Sequence, residues 1–259
     1  IRLEDVEPFA INHLDPYLYR QSVLENALLS AKHENVDERF FLSGRLPDLP
    51  STAAELDAWK SDANNLVAMI KEEILKDVEP SSLSIKQLFE HLDSAFEVNL
   101  DAQLYKSDDS YLIFRPTTAK EKDFVRMYLL QLMLQLSDLQ AEPSLMGYYF
   151  DTKNQKLKRY RVKRVENPEH ALTVLLKVFI VGSTTPLLIN SLLGLAFYKG
   201  KLEQQLDLQK LWQDGFQMDG FGSNPYIRYF WPEIPDLETV KPQISDIYLP
   251  IFSHVEEIK

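Results

Sequence analysis

Apolar positions along the chain change period several times, and each change predicts an element. Pro16–Ser30 and Val36–Leu42 have the spacing of short helices, with Asp15 placed to cap the first and Pro16 at its first helical position. Leu56, Trp59, Ala63, Leu66, Val67, Ile70 and Ile74 recur every three or four residues. They predict one long helix from a Ser51 or Thr52 cap to about Asp77, stopped by Glu79-Pro80-Ser81-Ser82. The period then drops to two in Leu83–Phe89, Phe96–Tyr105 and Tyr111–Arg115, which predict an antiparallel meander. A helix from about Ala119 to Leu136 follows, apolar on most faces and therefore buried on more than one side.

Leu145–Asp151 and Leu157–Val165 predict a second hairpin around Lys153-Asn154-Gln155. Asn167 or Pro168 opens a helix to about Val181, and Leu187–Phe197 is a further apolar stretch beyond the Gly182–Pro186 break. In the tail, Lys201–Phe216 and Leu237–Phe252 are helical, flanking a glycine turn at Gly220–Gly222 and the aromatic run Tyr226–Trp231. Helices around a mixed sheet predict an α/β core with helical additions at both ends. The division expected is a single domain over residues 1–259: a helical lead-in at 1–80, an α/β core at 81–181 and a mostly helical part at 182–259.

Charge narrows the function. The net charge is −11, yet Lys153–Arg164 holds seven bases and no acid. Any nucleic-acid role is therefore local, because the global field repels phosphate. Lys153, Lys156, Lys158, Arg159, Arg161, Lys163 and Arg164, interleaved with Tyr160, are the candidate DNA-binding residues. Alternation puts Lys158 and its i+2 neighbours on one face, where Tyr160 could stack on a base. The plainer reading is an edge hairpin whose lysines discourage sheet-to-sheet association.

The remaining composition excludes more than it assigns. With no cysteine there is neither a disulfide framework nor a thiolate metal site, as in a reducing cytoplasm. His13, His33, His91, His170 and His254 lack zinc-site spacing, so no metal is expected. Gly220-Phe221-Gly222 is no phosphate loop, and no cofactor is implied. Ala171–Val181 and Leu187–Tyr198 fall short of the roughly 20 residues a membrane span needs. The opening Ile1-Arg2-Leu3 has no export pattern and predicts a piece of something longer.

The meander followed by an apolar helix resembles the core of the PD-(D/E)XK, restriction-endonuclease-like superfamily. That fold carries an Asp on one strand and an acidic-x-Lys triplet on the next. Here Asp101 stands at the first position, but Phe114-Arg115-Pro116 replaces the triplet, and Phe124 stands where active relatives often have Gln, one turn before Tyr128. Neither Phe nor Pro can bind a hard cation or orient water.

Leu3-x-Asp5-x-Glu7-Pro8-Phe9, Leu14-x-x-Tyr17, Phe114-Arg115-Pro116 and Thr185-Pro186-Leu187-Leu188 together resemble the RecC C-terminal domain family. So do Leu208-Gln209-Lys210, Gly220–Gly222, Tyr226-x-Arg228-x-x-Trp231 and Tyr248–Phe252. The resemblance implies a nuclease-like fold without catalytic residues, partnered by RecB and RecD. Its implied work is DNA channelling, strand separation and subunit assembly in double-strand break repair. Two other readings stay open. One is an active Mg²⁺-dependent nuclease using Asp101 with Glu97, Asp108 or Asp109; the other is an interaction module that never touches DNA.

Overall fold

The structure is a computed structural model and describes residues 10–29, 35–74, 77–91, 94–108, 110–137, 143–151, 153–213, 215 and 219–258. The Leu3–Phe9 motif, Ser30, His33, Asp109 and Phe216–Met218 of the sequence reading lie outside these residues. Helices α1 (Asp15–Leu28), α2 (Val36–Leu42) and α3 (Pro50–Glu73) form the lead-in. The predicted stripe on α3 is buried from Leu56 to Ile70. Two caps differ from expectation. Asp15 is buried inside the first turn, where its carboxylate accepts from the Asn12 N–H at 3.0 Å. Thr52 sits within α3, and its hydroxyl donates to the Pro47 carbonyl at 2.8 Å, because Pro50 already starts the helix.

Tyr19, Val36, Phe40, Leu56 and Trp59 make a small core between these three helices. The Tyr19 ring lies 5.2 Å from Phe40 and 5.9 Å from Trp59. Its hydroxyl donates to Asp37 at 2.5 Å, and Lys60 donates to the other oxygen of that carboxylate at 2.6 Å.

The sheet comprises β1 (Glu79–His91), β2 (Ser94–Ser107), β3 (Ser110–Arg115), β4 (Ser144–Asp151), β5 (Lys156–Val162) and β6 (Val255–Ile258), side by side in chain order. Every neighbouring pair is antiparallel except β3 and β4. The parallel pair requires a crossover, supplied by α4 (Glu121–Ser137). The β1–β2 hairpin pairs along its full length, whereas β2 meets β3 only from Tyr105 to Ser107.

Alternation sorts the two faces. Leu112 and Phe114 of β3, with Tyr148 and Phe150 of β4, pack on α1 and α3. Ile113, Leu145 and Tyr149 point the other way, into the main core with α4, α5 (Pro168–Thr184), α6 (Ser191–Tyr198) and α9 (Leu237–His254). Covering both faces explains why β3 and β4 are nearly continuous apolar runs.

Beyond residue 181 the structure extends the reading in three places. The second apolar stretch becomes helical only at Ser191, capped by the Asn190 side chain, and Leu187–Asn190 stays non-helical after Pro186. The aromatic run is itself a short helix, α8 (Pro225–Phe230), after α7 (Gln205–Trp212) and capped by Asn224. The chain then contributes β6, so the sheet draws a strand from the tail. Gly194 marks where α6 crosses α9, since a Cβ there would overlap the Tyr248 ring. Gly194→Ala is expected to cost about 1–3 kcal/mol by forcing that crossing apart. A urea midpoint equal to wild type would show that the interface yields instead.

Candidate functional site

The five positions that the nuclease resemblance singles out do not converge. Asp101 is solvent-exposed on β2, opposite Ser84 of β1 and beyond the last β2–β3 pair. Phe114 is 2% exposed, its ring stacked on Tyr105 with centroids 4.2 Å apart. Pro116, just past the strand, is also buried. Phe124 and Tyr128 lie on the other face of the sheet, one helical turn apart on α4. The Phe124 ring meets Tyr160 at 5.0 Å, and Tyr128 faces His254 at 5.6 Å. Among the described residues no three acids or histidines are grouped to hold a metal ion.

Between Phe114 and Pro116, Arg115 forms a link that periodicity could not announce. Its guanidinium pairs with Asp123 at the start of α4 and donates to the Tyr17 hydroxyl of α1 at 3.2 Å. Asp123 is 3% exposed and also accepts from the Lys120 N–H at 2.8 Å. Burial works against the Arg115 charge, but Tyr17 and Asp123 outweigh it and raise its pKa. Arg115 thus ties α1 to α4 across the end of β3.

The basic hairpin has two faces, as β-alternation requires, and its cations are divided between them. Lys158 and Tyr160 share one face, but the tyrosine ring is only 8% exposed. It packs against Phe124 and, at 5.6 Å, Tyr149, so it is not the open stacking platform the alternation suggested. Burial first, and then nearby Glu257, pushes its hydroxyl pKa up to about 12. Arg159 turns to the opposite face and meets Glu73 of α3 at 2.7 Å.

The sequence pattern also missed β6, which covers the edge of β5. Glu257 takes Lys158 at 3.2 Å, while Glu256 takes Arg161 and, at 3.1 Å, Lys163. Those two partners hold the Glu256 carboxyl below its usual range. Four residues after a long helix are too few to show a period, and only the doubled Glu256-Glu257 opposite a basic strand could have signalled the pairing. Exposed ion pairs of this kind are individually weak, so they moderate the positive field without fixing the fold. Lys153 and Lys156 at the hairpin turn remain exposed. Arg161, Lys163 and Arg164 border a cleft of about 500 Å³ with Glu166, Glu169 and the buried Gln131 amide.

A family model described as the RecC C-terminal domain matches residues 1–201. The chain belongs to that family. No curated protein matches it. RecC is a component of the RecBCD complex, which acts in DNA repair. The matched part of this RecC-family chain runs from the lead-in through α6 and contains Asp101, Phe114, Pro116, Phe124, Tyr128 and the whole basic hairpin. The stretch from α7 to β6 lies beyond the match, although Leu208–Lys210 and Tyr248–Phe252 were among the residues carrying the resemblance. No helix among the described residues is long and apolar enough to cross a membrane.

Proposed function

We propose that this RecC-family chain is a catalytically inert, PD-(D/E)XK-like domain that guides DNA, helps part its strands and holds subunits together. The observation that carries this reading is the burial of Phe114 against Tyr105, across the sheet from Phe124 and Tyr128. A phenyl ring packed between the sheet and α1–α3 cannot be replaced by a metal-bound carboxylate without opening that core. The meander followed by the apolar α4, the order that carries the nuclease resemblance, supports the fold part of the reading. The DNA part of the reading draws on Lys153, Lys156 and the moderated cations of β5. The assembly part draws on exposed apolar residues: Phe179 on α5, and Tyr226, Tyr229 and Phe230 on α8. RecB and RecD are the partners proposed for these surfaces.

Incubating the protein with linear double-stranded DNA and Mg²⁺ or Mn²⁺ tests the central statement. No cleavage is expected, and Asp101→Ala is expected to change nothing. Cleavage that disappears with Asp101→Ala would establish the active-nuclease reading instead.

A further inference from the structure

A cleft of about 420 Å³ opens where α4, β5, α6 and α9 meet, and it lies on the Lys158 face of the basic hairpin. Four aromatic side chains line it: Phe124, Tyr160, Tyr198 and Phe252. Tyr160 and Phe252 are buried and form its floor, Phe124 is half-buried, and Tyr198 at the end of α6 is 45% exposed at the rim. Their rings touch in sequence. Phe124 lies 5.0 Å from Tyr160 and 6.4 Å from Phe252, and Phe252 lies 6.0 Å from Tyr198.

Three lysines surround the rings. Lys158 is engaged by Glu257 at 3.2 Å, while Lys120 and Lys199 are exposed at the opening. Glu121 also lines the cleft, so with Lys158 and Glu257 cancelling, the mouth keeps one net positive charge. Aromatic faces below and flexible cations above match the two ends of a nucleotide, a planar base and a phosphate.

We infer that this cleft receives one unstacked nucleotide of a single DNA strand, its base against Tyr198 and Phe124 and its phosphate near Lys120 and Lys199. The inference rests on the DNA-guiding reading above and gives it a location. It also gives Phe124 a use: the side chain that replaces a polar residue of active nucleases here forms part of a base-stacking wall. The site takes any base, because stacking needs only a π-face and the cleft offers no set of groups matched to one base edge.

The test uses the protein with a dodecamer of thymidylates carrying one central 2-aminopurine, followed by fluorescence anisotropy and 2-aminopurine emission at low salt. Wild type is expected to bind and to quench the probe by stacking. Tyr198→Ala is expected to weaken binding about tenfold and to restore emission. Lys199→Glu, an exposed change that leaves the rings in place, is expected to weaken binding without relying on the tyrosine. Lys177→Glu, the same charge change on α5, is expected to leave both signals unchanged. If wild type binds while Tyr198→Ala and Lys199→Glu bind equally well, the cleft assignment is overturned and the DNA-guiding reading stands. If wild type binds no single strand at low salt, both are overturned. Competition by free thymidine monophosphate at concentrations matching the oligonucleotide's nucleotides would overturn the commitment to a strand.

Discussion

Phe114→Asp is expected to destabilise the protein by about 4 kcal/mol or more and to yield no nuclease. The substitution places a carboxylate where the nuclease resemblance expects one, so it tests whether this position accepts an acid. If the position lay in an open pocket, the carboxylate would be tolerated. The ring, however, lies on Tyr105 within a cluster containing Leu24, Leu28, Leu66 and Ile70. Removing a buried Phe side chain alone costs about 3–5 kcal/mol, and an unpaired carboxylate in that cavity adds a desolvation penalty. Phe114→Leu, which keeps the site apolar, is expected to cost about 1 kcal/mol. Chemical denaturation of both variants decides the matter. A Phe114→Asp variant as stable as wild type would mean that the pocket can open to water and that this core does not exclude a metal-binding carboxylate.

The second large effect is expected at Asp123. Asp123→Ala leaves the Arg115 guanidinium facing Tyr17 with its counter-charge removed, at an expected cost of about 3 kcal/mol. The lower end of the range for broken buried pairs applies, because Arg115 keeps 25% of its side chain exposed. The pair itself need not be strongly stabilising. A double replacement, Arg115→Met with Asp123→Leu, should recover most of the loss, since two apolar side chains leave no stranded charge. A double-mutant cycle in urea measures this directly. Equal costs for the single and double variants would mean that α1 and α4 depend on the ion pair for their placement.

Periodicity made the scaffold legible where an element is long and has one dry side. The α3 stripe, the alternating strands and the apolar α4 all lie where spacing put them, because burial imposes a period on the residues that experience it. Caps were less legible. Asp15 and Thr52 have capping side chains, but each bonds to a backbone group outside its helix, a choice made by chain direction before the helix. The aromatic run 226–231 was ambiguous because α8 is too short to complete two turns and buries none of its residues.

The candidate site was harder still. Composition exposed the basic hairpin, since seven cations without an acid need no fold to be noticed. What it could not reveal was the neighbour that answers them. Glu73, Glu256 and Glu257 are distant in sequence and arrive through packing. Tyr160 is instructive in the same way. Its position in the alternation was right, but the face it shares with Lys158 is also the face that Phe124 covers. The aromatic cleft is not legible in the sequence because its walls come from four separate elements, no two of which share a motif.

The last strand also determines how firmly this surface could hold anything. Each cation it engages has a tethered carboxylate as a resident rival, present at the high effective concentration of an intramolecular partner. A passing phosphate would exchange places with that carboxylate instead of filling an empty seat, and little free energy would separate the two arrangements. In the proposed DNA role, such a surface would grip shallowly and let go quickly. For a polymer that must keep moving, it would behave as a bearing, not a clamp.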